Sequence, residues 1–205
     1  TPEDSGLVKV ATTLEGSGRG EFTDFRVTLD TRVANSGEWQ IHYLVETGPE
    51  VSDLPRVGLE CPLAAGFDRI AFLGRGPWEN YSDRRAAARI DVHRRRLRDS
   101  TLPYVMPQEF GHHTGTRWLE IIRGRRRLRV SADRVFEFNY TPYSADELFG
   151  ALHREDLSAP ERPWLVLDLA HRGVGTGSCG PDTLERYRLL SNRFEGRFHF
   201  SGTTT

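Results

Sequence analysis

The feature that most constrains this chain is a hydrophobic pattern of period two, repeated from one end to the other. In "EWQIHYLVE" Trp39, Ile41, Tyr43 and Val45 share one face. Phe25, Val27 and Leu29 do so in "FRVTLD", and Val57, Leu59, Cys61 and Leu63 in "RVGLECPL". "AAARIDVH" sets Ala86, Ala88, Ile90 and Val92 together, and "VFEFNY", "WLVLDL" and "GRFHF" continue the series. Successive strand side chains point to opposite faces, so this pattern predicts half-buried strands. Strands of that kind, separated by turns, pack as antiparallel sheets face to face. The fold class expected is all-β. The 20 glycines and 11 prolines fit a turn-rich chain.

One helix interrupts the pattern. "YSADELFGALHRED" opens on Ser144 with Glu147 three residues later, a capping box, so a short helix is expected near 145–155. Leu148, Leu152 and Phe149 are its apolar stripe. "DTLERYRLL" reads as a strand, and the final "SGTTT" as a frayed end. No internal repeat, low-complexity segment or long linker divides the chain, so residues 1–205 are expected to form a single domain.

Composition narrows the function classes. The net charge is -1, with Lys9 the sole lysine among 28 basic residues. "HRRRLR" (93–98) and "RGRRRLR" (123–129) are arginine clusters, but acidic residues balance them and they alternate with apolar positions as solvated strand faces do. No nucleic-acid partner is expected. No apolar stretch approaches the ~18 residues of a membrane span, so no membrane partner is expected. "TPEDSG" has no signal-peptide character, which makes the cytoplasm the expected compartment. Its lack of Met reads as a processed chain or a piece of a longer one. Cys61 and Cys179 form no disulfide framework, and no C-x-x-C is present for zinc.

Several residues invite chemistry, and each has a plainer reading. "HRGVGTGSCGP" (171–181) follows an apolar strand, as a phosphate cradle would. However, its glycine spacing misses G-x-G-x-x-G and no helix follows to supply a dipole. Cys179 has only His171 near it in sequence, across the loop, and a nucleophile needs a placed base. Glu79 and Glu109 suggest paired carboxylates, yet both sit in turns, "GPWENY" and "MPQEFG", where carboxylates commonly accept backbone N–H groups. His112 and His113 are adjacent, so on a strand they point apart and do not share an ion. No third ligand is spaced to help them, they read as loop histidines, and no metal site is expected. Trp118 and Trp164 lie in apolar strands and read as core, while Trp78 is the exposed candidate for stacking on a sugar.

Four stretches taken in order are more specific. "FLGRGPWENYSDRRAA" (72–87), "PYVMPQEFGHHTGTRWLEI" (103–121), "YSADELFGALH" (143–153) and "WLVLDLAHRGVGTGSCGP" (164–181) together resemble the C-terminal domain of family 2 β-galactosidases. The resemblance runs from about residue 20 to about residue 200. It implies a large antiparallel super-sandwich related in fold to galactose mutarotases. It also implies that the catalytic glutamates sit in a separate TIM barrel. Such a barrel takes ~250 residues and eight βα units, so no catalytic residue is expected in this chain. The family domain begins earlier, and its first strands are expected to be missing here.

In that family the glycine-rich loop reaches the barrel mouth and donates a tryptophan that stacks on substrate. Its counterpart here falls at about Cys179, a small and weakly polar group. The resemblance therefore gives Cys179, Gly177, Ser178 and His171 as substrate-binding residues. Ser82 stands where the family usually has Pro, and His113 where Arg is common. The resemblance further implies no cofactor in this chain, Mg and Na belonging to other domains. The partners implied are those other domains, a galactoside substrate and a homo-oligomeric parent. The alternative is an autonomous carbohydrate-binding or mutarotase-like module. It would use a concave face bearing Glu109, His112 and Trp78, with His113 completing an acid/base cluster.

Overall fold

The computed structural model describes residues 7–18, 23–158, 162–175 and 182–204. Ten strands join in one hydrogen-bonded network: β1 (Val8–Gly16), β2 (Phe25–Val33), β3 (Trp39–Thr47), β4 (Arg56–Pro62), β5 (Arg69–Gly76), β6 (Arg89–Arg96), β7 (His113–Arg123), β8 (Arg126–Thr141), β9 (Trp164–His171) and β10 (Arg193–Thr204). Every named pairing is antiparallel. The main path runs β1-β2-β3-β10-β8-β7-β5-β6, and β9 joins β8 on one side and β4 on the other.

The branch arises because β8 is 16 residues long. Its first half pairs with β10, Ala132 opposite Phe198 through Arg126 opposite Thr204. Its second half pairs with β9, Glu137 opposite Asp168 through Thr141 opposite Trp164. The β4–β9 pair is thereby carried over the face of β2 and β3. Tyr43, Val45, Leu54 and Val57 close that space, with Val27, Leu29 and Leu169 against them. The Tyr43 hydroxyl donates to the Gly58 carbonyl at 3.1 Å, tying the two layers. The larger core lies among Ile70, Phe72, Leu119, Ile121, Val130, Phe136, Phe138, Tyr140, Leu165, Leu167, Phe198 and Phe200. The all-β antiparallel sandwich is as the alternation implies.

The helix is α1 (Ala145–Gly150), shorter than its pattern suggests. Its capping box is present: Glu147 N–H donates to Ser144 Oγ at 3.1 Å, and Ser144 N–H donates to Glu147 Oε2 at 2.7 Å. Ala145 N–H donates to Glu60 Oε1 at 3.0 Å, so a third orphan donor of the first turn is satisfied from β4. Only Leu148 of the expected stripe is buried. Leu152 falls outside the helix and is exposed, as is Phe149. A helix of less than two turns presents one side chain inward, not a stripe.

Four other expectations are corrected. "DTLERYRLL" is not a strand but a segment containing a 3-10 turn, Glu185–Tyr187. "SGTTT" is not frayed up to Thr204, because Ser201–Thr204 pair with Arg129–Arg126. Ile90 and Val92 are exposed, since β6 ends the sheet path and no second layer covers that face among the described residues. Trp118 and Trp164 are half-buried and not part of the core; Trp118 lies on the opposite face of β7 from Leu119, beneath the Arg129 guanidinium at 4.7 Å. No helix among the described residues is long and apolar enough to cross a membrane.

Candidate functional site

β8 keeps one side-chain parity in both of its halves, on either side of the exposed Asp133–Val135. Its even positions, Leu128, Val130, Phe136, Phe138 and Tyr140, belong to the core. The odd positions of its second half, Glu137 and Asn139, face the other way. There Asp168 of β9, Arg56 of β4 and the segment 109–112 cover them, and a buried polar cluster results. Asp168 is fully buried, and Arg56 grips it bidentately at 3.1 Å and 2.5 Å. The remaining nitrogen of Arg56 donates to Glu109 Oε2 at 3.1 Å. Asn139 donates to Glu109 Oε1 at 2.6 Å.

β4 can come this close only because residue 58 has no side chain. A Cβ on Gly58 would meet Asp168 Oδ1 at 2.1 Å and the Leu167 carbonyl at 2.6 Å. The register slips between Val57 and Gly58, which sets Arg56 opposite His171.

Three rings complete the cluster. His112 is fully buried, with its Nε2 3.0 Å from Glu137 Oε2 and its Nδ1 3.7 Å from Asp168 Oδ2. His171 lies beside it, ring centroids 4.4 Å apart, and Tyr81 packs on both. His171 Nδ1 donates to the Arg172 carbonyl at 2.6 Å, while its Nε2 is 3.8 Å from Glu109 Oε1.

Burial dominates the electrostatics here, because removing a charge from water disfavours it. It pushes Glu109 up to about 7, against the pull of Arg56, and Glu137 up to about 7, against Arg85 and Arg56. It pushes His112 down to about 4 and His171 down to about 3. The Tyr81 hydroxyl rises well above its ordinary range for the same reason. Arg56 is the exception: burial opposes its charge, but Asp168 and Glu109 more than offset that and hold it cationic. Burial also raises Asp168, with Arg56 opposing.

On one side this cluster opens to a cleft of about 870 Å³. Arg56, Glu109 and His171 form part of its wall, with Met106, Phe149 and Val174 supplying apolar surface. The glycine-rich loop leaves from the same wall, and both of its described roots are anchored. Val174 and Gly175 N–H donate to Asp83 at 3.2 Å and 2.7 Å. A Cβ on Gly173 would meet the Asp83 carboxylate at 2.6 Å, so that approach requires glycine. Arg172 donates to Asp53 at 2.9 Å and to Asp182, and Arg188 joins the same two acids. Thr183 Oγ1 donates to the Gly173 carbonyl at 3.0 Å.

The "PWENYSD" motif acquires a physical reading. Asn80 donates from its side chain to the Arg75 and Trp78 carbonyls, each at 3.0 Å, and accepts from Thr114 N and Oγ1. Its own N–H donates to the His112 carbonyl at 2.7 Å. Glu79 accepts from Gly111 N–H and Tyr104 Oη at 2.7 Å each, as a carboxylate in a turn is expected to do. This bracing holds the 109–114 segment over β8.

The expected site residues divide as follows. Cys179, Gly177 and Ser178 lie outside the described residues. His171 is buried at the loop root. Glu109 and His112 come together in the cluster, Glu109 bonding to side chains rather than to backbone. Trp78 is 72% exposed but lines a separate hollow with Arg84 and Arg85, so it does not join them. His113 is not a loop residue: it opens β7 and is buried. It turns away from His112, which precedes the strand, and donates from Nδ1 to the Arg75 carbonyl at 3.1 Å. Burial pushes it down to about 3. Its place is structural, against Phe72 and Phe138, and it takes no part in an acid/base cluster. Arg56, Asp168, Glu137 and Asp83 escape the sequence reading. For Asp168 and Glu137 the available signal is charge inside otherwise apolar strands, as in "WLVLDLA".

A family model described as Beta galactosidase small chain matches residues 3–201. The chain belongs to the β-galactosidase small-chain family. Among curated relatives, the small-chain domain is 32% identical over 172 residues to a β-galactosidase of Staphylococcus xylosus, covering 84% of this chain and 17% of that protein. It is 35% identical over 172 residues to a β-galactosidase of Vibrio vulnificus strain CMCP6, covering 82% of this chain and 16% of the relative. The small-chain domain thus spans about a sixth of the length of the relatives it matches. Among solved structures, a GalM/aldose epimerase homologue from C. elegans aligns with 98% of this chain and 66% of its own, at 8% identity and a TM-score of 0.48.

Proposed function

We propose that this chain is the part of a β-galactosidase that finishes a galactoside pocket without supplying its catalytic carboxylates. The observation that carries the reading is its 32–35% identity to β-galactosidases of which it spans only 16–17%. The site geometry supports it. Glycosidase chemistry needs two free carboxyls flanking the bond. Here Glu109 and Asp168 share one guanidinium, and Asp168 is out of reach of any ligand. The glycine loop, braced at 172–175 and 182–183, is then a wall of a pocket whose acid/base and nucleophile sit on other domains of the parent. Hydrolysis of terminal β-D-galactosides with retention is the reaction it serves.

Fragment complementation tests this. A parent enzyme lacking the domain is mixed with the purified chain, and galactosidase activity is expected to return. No return of activity in a complex shown to form would overturn the reading. Cys179→Trp in the complete enzyme sharpens it, with an expected change in KM for lactose. An unchanged KM would leave the domain as scaffold alone.

One observation favours the second reading, a self-sufficient sugar module: Glu109 and His171 share the wall of a cleft large enough for a monosaccharide. Titration of the chain with galactose and lactose, and polarimetry on α-galactose, separate the two. Flat titrations exclude the module.

A further inference from the structure

We propose that Glu109, His112 and His171 form a binding site for one divalent zinc-type cation at the floor of the cleft. One ligand atom from each lies within 4.8 Å of the others. Hydrogen bonding aims the imidazoles at one another's neighbourhood. His171 Nδ1 faces a carbonyl, which only accepts, so the proton is on Nδ1 and the lone pair on Nε2. His112 Nε2 faces the Glu137 carboxylate, and donation to it leaves the lone pair on Nδ1. That Nδ1 belongs to a fully buried ring and has no hydrogen-bond partner. A buried polar atom without a partner is costly and unusual in a folded protein.

The surroundings match what metal ligands require. A ligating histidine characteristically gives its other N–H to a carboxylate or a backbone carbonyl, and here one does each. Glu109 Oε1 is itself oriented by Asn139 at 2.6 Å. Arg56 occupies Glu109 Oε2, leaving Oε1 on the side of His171. Glu109, Glu137 and Asp168 are formally three negative groups, and Arg56 is the one guanidinium bonded among them; Arg85 acts on Glu137 from an exposed position. A divalent ion fills that deficit of positive charge. Two imidazoles and one carboxylate suit zinc better than magnesium or calcium, which favour all-oxygen sets. Tetrahedral zinc at ~2.0–2.2 Å from its ligands places them about 3.3–3.6 Å apart, so small side-chain rotations close the site. Because Glu109 and His171 face the cleft, the fourth position is open to an oxygen ligand there.

The test is direct and independent of galactosidase activity. The full chain, freed of metal, is titrated with Zn²⁺ by calorimetry. One equivalent is expected, with affinity falling more than about 100-fold in His171→Gln and about 10–100-fold in Glu137→Gln. His42→Gln, on β3 and outside the cluster, is expected to leave it unchanged. Should His171→Gln not fold, Co²⁺ loading of the unaltered chain decides: X-ray absorption is expected to show two imidazole nitrogens. No zinc binding, binding untouched by His171→Gln, or a cobalt site without imidazole would each overturn the proposal.

Discussion

The two halves of β8 carry the same alternation and do opposite things. In the first half, Arg127 and Arg129 point away from the core and pair with Glu120 at 3.3 Å and 3.0 Å on an exposed face. In the second half, Glu137 and Asn139 also point away from the core, but the 109–112 segment and the Arg56 side chain of β4 lie over that face. One half therefore has a solvated charged face and the other a buried one. The alternation is the same in both halves; what differs is the covering. Charges held in water contribute little to stability, whereas charges sealed from it become indispensable to one another.

The comparison breaks most readily at Asp168. Asp168→Asn leaves Arg56 half-paired in a buried site, and breaking such a pair costs about 3–5 kcal/mol. For a chain of this size that is a fall in Tm of roughly 6–20 °C, readable by calorimetry. A fall of a degree or two would mean that the covered half is no more demanding than the exposed one. Gly58→Ala is next. Its methyl would collide with Asp168 and the Leu167 carbonyl, and overpacking of this kind costs about 1–3 kcal/mol. Asp83→Ala removes two backbone partners of the loop root and is expected to lose about 1 kcal/mol. Faster amide exchange confined to Val174 and Gly175 is its signature. Glu120→Ala, on the exposed half, is expected to change stability by about 0.5 kcal/mol or less in chemical denaturation. A larger loss there would erase the contrast.

This contrast also explains what was legible in the sequence. Period two gives face membership, so "VFEFNY" announces Phe136 and Phe138 as core and Glu137 and Asn139 as the opposite face. It does not say what lies on that face. Glu137 reads as a surface residue until β9 is laid beside it, and that pairing spans about 30 residues of chain. His112 does lie in the loop before β7, as its sequence context suggests; what that context hides is its burial against Tyr81 and His171. The capping box was local chemistry and was legible to the residue. The strand over "GRFHF" is legible, but its extension through Ser201–Thr204 is not, because Ser, Gly and Thr carry no hydrophobic signal and backbone pairing with Arg126–Arg129 needs none. The plain reading holds at Glu79, whose carboxylate accepts from Gly111 N–H in its turn; the partners of Asn80 and Asp83 lie on distant segments and leave no local signal.

The anchoring of the glycine loop has a consequence for variation. Its two roots are fixed by Asp83 on one side and by Asp53, Arg172 and Asp182 on the other. Each root draws its partners from a different part of the chain, Asp83 before β6 on one side and Asp53 before β4 on the other. A substitution that frees one root therefore leaves the other still held, so the sandwich beneath is insulated from changes where the chain leaves it.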